Sequence, residues 1–227
     1  MNDAIVFSDD PVLLVGGANG DNGLLSTLLD EAGLVVAADS GADWIRALGR
    51  MPDALIGDLD SVSEATVAAM PPGQVHRISE QNTTDFDKAV RSISAPLIIG
   101  IGFLGGRVDH LLAAMTVMVR HPDRAIVLVG ETDAVAHVPP RLDLPLAAGT
   151  RVSLFPMRAV AGQSSGLRWP IDGLTLSPDR RVGTSNQAEG AVALSVATPG
   201  LLVIVPVSRR LVLQQALLQA DGLWPAL

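Results

Sequence analysis

At 227 residues the chain can bury a sizeable core, as one large domain or two small ones. Hydrophobic residues make up 48% and charged residues 18%, which excludes a disordered chain, and the absence of cysteine excludes disulfides and thiolate chemistry. With 24 acidic against 16 basic residues, a formal net charge of -8, the chain lacks the basic footprint of a nucleic-acid binder, so any phosphate must meet locally focused cations or a metal.

The first residues, Met1-Asn-Asp-Ala-Ile5, have neither the basic nor the long apolar region of a signal peptide. Apolar runs such as Leu97 to Leu104 are too short and Gly-broken to span a bilayer. These features predict a soluble cytoplasmic protein with no membrane partner. Val12 to Val15 reads as a buried strand feeding the flexible loop Gly16-Gly-Ala-Asn-Gly20. That loop matches neither the Walker pattern nor the dinucleotide fingerprint, and serves equally as a phosphate loop or a plain strand-to-helix turn. Leu24 to Ala32 reads as a helix closed by Gly33.

Leu34 to Ala38 is the next strand, ending at Asp39-Ser-Gly-Ala-Asp43, after which Trp44 to Leu48 is helical. Alone, Asp39 reads as a helix N-cap. Asp43 suits a first helical turn, where negative charge is favoured. Then comes Ala54-Leu-Ile-Gly-Asp-Leu-Asp-Ser61, a short buried strand followed at once by two carboxylates. Alternation in an extended segment puts Asp58 and Asp60 on one side of the backbone, where they can share a hard divalent cation such as Mg2+. An Asp-rich turn is the plainer reading of the octapeptide by itself.

Ser63 to Met70 reads as a helix stopped by Pro71-Pro-Gly73, and Val75 to Ile78 as a short strand. In Glu80-Gln-Asn-Thr-Thr-Asp-Phe-Asp-Lys88, Thr84 and Asp87 have the spacing of a variant capping box. Asp85 and Lys88 share a helix face, as a surface ion pair would. Pro96 to Leu104 reads as a central buried strand, followed by Gly105-Gly-Arg-Val-Asp-His110 and an apolar helix from Leu111 to Val119. Arg107 is a fixed cation that can fork onto phosphate oxygens, and His110 reads as a structural histidine at a helix start. Ala125 to Val129 is a further strand, and Ala134 to Val138 a possible one.

Alternating strands and helices predict a Rossmann-like, mostly parallel sheet with helices on both faces. Ligands of such sheets bind outside the carboxyl ends of the strands. Asp39, Asp58, Asp60, Asp85, Arg107 and Asp109 all fall just after predicted strands. Carboxylates gathered there repel one another unless a cation joins them, which points to a metal-assisted phosphate site. From Pro139 the texture changes. Pro139 to Pro145 reads as a linker, and the β-like runs Arg151–Phe155, Gly173–Leu176, Ala191–Val196 and Leu201–Val207 predict an antiparallel sandwich or barrel. Gly183-Thr-Ser-Asn186 reads as a polar turn between strands, Trp169 as a packing aromatic beside Arg168, and Arg209 to Ala220 as a strand or a short helix. The boundary falls at residues 140/141.

Six motifs in order then resemble the thiamine pyrophosphokinase (thiamine diphosphokinase) family: Asp39-Ser-Gly-Ala-Asp43, Ile56-Gly-Asp-Leu-Asp-Ser61, Gln81-Asn-Thr-Thr-Asp-Phe-Asp-Lys88, Gly105-Gly-Arg-Val-Asp-His110, Gly166-Leu-Arg-Trp169 and Gly183-Thr-Ser-Asn186. Ser40, Asp43, Asn82 and Arg168 depart from residues usual in that family. The resemblance implies an α/β catalytic domain over residues 1–140, a C-terminal β-sandwich over residues 141–227 that binds thiamine, and a homodimer. It implies transfer of the pyrophosphoryl group of ATP to the thiamine hydroxyl, giving thiamine diphosphate and AMP. Asp39, Asp58, Asp60 and Asp85 would gather Mg2+ and the ATP phosphates. Gln81 would contact nucleotide or phosphate, Lys88 would belong to the cofactor-binding set, Arg107 would neutralise phosphate charge, and Asp109 would order the site. Trp169, Ser185 and Asn186 would hold thiamine across the dimer interface. Two rivals are a metal-dependent phosphohydrolase and a non-catalytic thiamine or nucleotide sensor on the same fold. The carboxylate set disfavours the sensor, and Trp169 with its polar turn disfavours the hydrolase.

Overall fold

The computed structural model describes residues 4–18 and 20–227. Met1 to Asp3, part of the signal-peptide reading, and Asn19 of the glycine loop lie outside the described residues. The fold is mixed α/β, and the chain divides into two compact units, Met1–Val117 with Leu128–Glu131, and Met118–Val127 with Thr132–Leu227.

In chain order the first elements are β1 (Val6–Phe7), β2 (Val12–Val15), α1 (Asn22–Glu31), β3 (Val35–Ala38), α2 (Gly41–Ala47), β4 (Ala54–Gly57), α3 (Glu64–Ala69) and β5 (Val75–Arg77). They continue with α4 (Asp85–Ser92), β6 (Ile93–Ser94), β7 (Ile98–Ile101), α5 (Val108–Arg120) and β8 (Ile126–Val129). Every residue of β2, β3 and β4 is buried, as expected of short apolar runs in a parallel sheet. In the first unit β7, β2, β3, β4 and β5 pair in that order, all parallel, with Leu14 between Gly100 and Val36. The chain therefore runs outward from β2 on one side and returns to its other side at β7. That reversal opens a crevice at the carboxyl ends of β2, β3 and β7, where ligands of open α/β sheets bind.

Helix starts are set by side chains. Asp21 accepts from the N–H groups of Gly23 and Leu24 at α1, Ser63 from Thr66 at α3, and Thr84 from Asp87 at α4. Each satisfies a backbone donor that the helix itself leaves open. Leu25, Leu28 and Leu29 form the buried stripe of α1, at the spacing of one helix face.

The second unit holds β9 (Asp133–His137), β10 (Arg141–Leu144), β11 (Arg151–Pro156), β12 (Val160–Leu167), β13 (Thr175–Leu176), β14 (Gly183–Val196), β15 (Leu201–Pro206) and α6 (Arg210–Leu218). All its strand pairs are antiparallel. The 14-residue β14 is its spine. Its first part pairs with β11, and its later part lies between β10 and β12. At Gly166, with φ of 73°, a Cβ would lie 2.0 Å from the Ala191 carbonyl oxygen, so only glycine lets β12 approach β14 there.

Two expectations change, and the tail, open between a strand and a short helix, is decided. The stretch from Pro139 to Pro145 is not a free linker, because β10 pairs with β14 through Leu142 and Leu194. Gly183 to Asn186 is not a turn but the start of β14. The tail resolves as the helix α6, burying Leu213, Ala216 and Leu217. Among the described residues no helix is long and apolar enough to cross a membrane.

Candidate active site

A cavity of about 460 Å3 opens at the crevice of the first unit. It is lined by Gly16, Gly17 and Ala18 after β2, Asp39 and Ser40 after β3, Ser61 beyond β4, Thr84 to Phe86 at α4, Gly102 and Phe103 after β7, and Arg107 and His110 at α5. The loop after β2 is stitched to β7. Gly16 N–H donates to Ile101 O at 2.7 Å, and Ala18 N–H to Gly102 O at 3.1 Å. Those two donors are turned away from any ligand. A Cβ on Gly102 (φ 81°) would lie 2.4 Å from the Gly16 carbonyl oxygen, so glycine is what lets these two loops touch.

Three carboxylates converge beside the cavity; Asp39 lines it, while Asp58 and Asp60 lie outside the lining. Asp39, Asp58 and Asp60 each offer an oxygen, and these oxygens lie within 4.8 Å of one another. Asp39 does not cap α2. Ser40 occupies the cap position, and among the described residues Asp39 Oδ1 has no hydrogen-bond partner although the residue is only 5% exposed. Burial first, then the negative charge of Asp85, raises the Asp39 carboxyl above its ordinary value, and the Ser40 N–H offsets part of that. The Asp39 backbone adopts the left-handed region, with φ of 48°.

Asp58 and Asp60 reach the same side by a different route from strand alternation. Leu59 between them has φ of 67°, so the segment is coiled rather than extended, and Asp60 N–H turns back onto Asp58 Oδ1 at 3.3 Å. A non-glycine residue held there carries strain of about 1–3 kcal/mol, of the kind that gathers at functional sites.

Lys88 is not a surface residue. Its side chain is 1% exposed, and Nζ donates to Asp58 Oδ2 at 2.8 Å and to Asp85 Oδ1 at 2.9 Å. Asp85 Oδ1 also accepts Asp58 N–H at 3.4 Å. Asp85 thus lines the cavity but stands beside the trio, tied to Lys88. The Lys88 hydrogen bond holds the Asp58 carboxyl below its ordinary value.

Arg107 lines the cavity and pairs with Asp109 through Nε at 3.1 Å and through a terminal nitrogen at 2.5 Å. Both are exposed, and Asp109, outside the cavity lining, is paired with Arg107, which lines it. Gln81 is exposed and outside the cavity lining. Sequence reasoning passed over Ser61, whose hydroxyl donates to Asp60 Oδ1 at 2.8 Å, and Phe103, whose ring lies 4.3 Å from that of Phe86. Ser61 follows the carboxylate pair directly, which is the signal that was available.

In the second unit Trp169 is 54% exposed, with the Arg168 guanidinium 4.9 Å from the ring centre. Asn186 is buried, and its side chain grips the Trp169 backbone. Nδ2 donates to Trp169 O at 2.7 Å, while Oδ1 accepts Trp169 N–H at 3.2 Å and Gln187 N–H at 2.8 Å. Ser185, with φ of 61°, donates its N–H to Ser153 Oγ at 3.0 Å.

The family profile described as thiamin pyrophosphokinase, catalytic domain, matches residues 25–129, which takes in Asp39, Asp58, Asp60, Asp85, Lys88 and Arg107. Over that stretch, a little under half of its length, the chain is similar to the thiamin pyrophosphokinase catalytic domain. Similar proteins include thiamine pyrophosphokinase 1 of Oryza sativa subsp. japonica, 27% identical over 197 residues, covering 71% of this chain and 74% of the relative. Thiamine pyrophosphokinase 1 of Arabidopsis thaliana is 27% identical over 154 residues, covering 60% and 58%. Among solved structures, thiamin pyrophosphokinase from Candida albicans superposes with a TM-score of 0.73 at 14% identity, covering 91% of this chain and 97% of that one. That from Geobacillus thermodenitrificans gives 0.69 at 25% identity, covering 86% and 96%.

Proposed function

We propose that this protein is a thiamine diphosphokinase, which transfers the pyrophosphoryl group of ATP to the hydroxyl of thiamine, giving thiamine diphosphate and AMP. The observation that carries the reading is the trio Asp39, Asp58 and Asp60, met by the cavity at Asp39, with a buried Asp39 oxygen that no donor among the described residues satisfies. An unpartnered buried carboxylate oxygen among other carboxylates suits a hard cation, and an all-oxygen donor set suits Mg2+. Asp39, Asp58 and Asp60 would hold it, with Asp85 at the margin. When bound, Mg2+ supplies charge neutralisation at the phosphate oxygens.

The remaining work falls to positioning, on which phosphoryl-type transfers mostly depend. The thiamine hydroxyl oxygen attacks the β-phosphorus in line, and the bond from that phosphorus to the AMP oxygen breaks. The hydroxyl proton passes to a carboxylate at the margin of the cluster, Asp60 or Asp85. Arg107, oriented by Asp109, lies against the phosphates and offsets their charge. Gln81, exposed and outside the cavity lining, would contact the nucleotide or its phosphates beyond it.

Thiamine is cationic and has flat rings, so an exposed Trp169 suits it by stacking and cation–π attraction. In this reading Asn186 fixes the Trp169 backbone, and Ser185 lies beside it. We assign residues 1–140 as a catalytic domain, Rossmann-like with helices on both faces of its parallel sheet. We assign residues 141–227 as a thiamine-binding β-sandwich, whose two layers share the long β14. The working form is a cytoplasmic homodimer in which thiamine is held across the subunit interface.

Incubation with Mg2+, ATP and thiamine, followed by separation of nucleotides, tests the reading. AMP that forms only with thiamine, matched by thiamine diphosphate, supports it. ADP or phosphate formed without thiamine indicates a phosphohydrolase, and saturable thiamine binding without turnover indicates a sensor.

A further inference from the structure

Lys88 is among the largest fully buried side chains of the protein, at a depth where lysine is rare. Removing an ammonium from water is costly unless opposite charges and hydrogen bonds replace the water. Asp58 Oδ2 at 2.8 Å and Asp85 Oδ1 at 2.9 Å do so. Burial alone would pull the ammonium down, yet the hydrogen bonds and charges of these two aspartates raise it above its ordinary value. Lys88 is outside the cavity lining and its side chain is 1% exposed, so its ammonium is covered where a phosphate ligand would have to reach it. Its donors face carboxylates, and those carboxylates adjoin Asp39 and Asp60, which it does not touch. Asp58 Oδ1 is left as the Asp58 oxygen that Lys88 does not engage.

We propose that Lys88 is a positioning residue, the resident counter-ion of the carboxylate cluster, which holds Asp58 and Asp85 in place without metal and shares Asp58 with a divalent cation when one binds. It is therefore not a phosphate ligand. This inference rests on the metal reading given above. With Lys88 present, the cluster is partly neutralised before metal arrives, so metal adds little to the stability of the fold. Without Lys88, the carboxylates repel, and a divalent cation becomes the main force holding them together.

The test is thermal unfolding in EDTA and in excess Mg2+ for the wild type, Lys88→Met and the double variant Lys88→Met/Asp85→Asn. In EDTA, Lys88→Met should lower Tm by roughly 10 °C, as loss of one partner of a buried pair does in a chain of this size. Mg2+ should raise the Tm of Lys88→Met clearly more than that of the wild type. The double variant, which loses one charge of each sign, should regain part of the lost Tm in EDTA. If Lys88→Met is recovered folded only together with Asp85→Asn, that too is the expected charge balance. Equal Mg2+ shifts in wild type and Lys88→Met overturn the inference alone and leave Lys88 as packing. An unchanged Tm in EDTA, or a double variant no better than the single, overturns it as well. A Mg2+ shift absent from all three proteins overturns the metal reading, and this inference with it.

Discussion

Ser63 Oγ donates to Asp43 Oδ1 at 2.6 Å, joining the first turn of α2 to the cap of α3. Ser63 N–H adds a second bond, to Asp43 Oδ2 at 2.8 Å, and Thr66 Oγ1 a third, at 2.5 Å. The loop from Asp58 to Val62 is thus fixed at both ends, by Lys88 at Asp58 and by Asp43 at Ser63. Burial would raise the Asp43 carboxyl, but the donors of Ser63 and Thr66 outweigh it and the net shift is downward. Asp43→Ala should cost about 2 kcal/mol in denaturant unfolding, the scale of hydrogen bonds to a charged acceptor. Because the folded value is depressed, this contribution is present above the ordinary carboxylate range and fades as pH falls through it. An unchanged midpoint at neutral pH would show that the clamp is not stabilising.

Asp58→Asn should lower turnover by at least about 100-fold, the scale of losing one electrostatic element of a transfer site. The fold should survive, because Lys88 keeps Asp85 at 2.9 Å as a charged partner. Steady-state kinetics beside a circular dichroism spectrum check both halves. Wild-type rates in a folded variant would remove Asp58 from the metal-holding set.

Trp169 and Asn186 should separate binding from stability. Trp169 is largely exposed, so Trp169→Ala should leave Tm nearly unchanged while raising the KM for thiamine by roughly 5- to 30-fold. Asn186 is buried and makes the bonds that hold Trp169, so Asn186→Ala should lower Tm and raise that KM together. A Trp169→Ala enzyme with an unaltered KM would place thiamine elsewhere.

His137 sets an acid limit on the second unit. It is 6% exposed, and Nε2 accepts the Gly200 N–H at 2.8 Å, which requires the neutral ring. Burial, then the positive charge of Arg158, lowers it from the ordinary 6.5 to about 4. Between those values the unfolded chain takes up a proton that the folded chain does not. Stability therefore falls as pH drops through that window, by up to about 3 kcal/mol, and this contribution is flat above it. His137→Gln should flatten the slope between pH 6.5 and 4 in denaturant titrations. An identical slope in the variant would assign the acid sensitivity to other groups.

The parallel strands were legible because each is a short, wholly apolar run bounded by polar punctuation, as in Leu13 to Val15 or Leu55 to Ile56. Their common edge followed from topology, and with it the convergence of Asp39, Asp58 and Asp60. β12 was missed because Gly162 to Gly166 is small and polar, so its alternate burial leaves no hydrophobic signal. Gly183 to Asn186 has turn composition, yet pairing with β11 makes it strand. The local backbone at Leu59 was hidden as well, since nothing in Asp-Leu-Asp distinguishes an extended segment from a left-handed one. Lys88 carries a charge that composition assigns to the surface, and only three-dimensional placement reveals the two carboxylates around it. The Asp43 and Ser63 clamp joins residues on different helices, which no local pattern encodes.

The most direct measurement follows phosphorus. ATP labelled at the β-phosphate is incubated with the protein, Mg2+ and thiamine, and the products are separated. Label recovered in thiamine diphosphate, with unlabelled AMP, is the result expected if the hydroxyl attacks the β-phosphorus. Label recovered in ADP, or in pyrophosphate or phosphate formed without thiamine, would contradict pyrophosphoryl transfer.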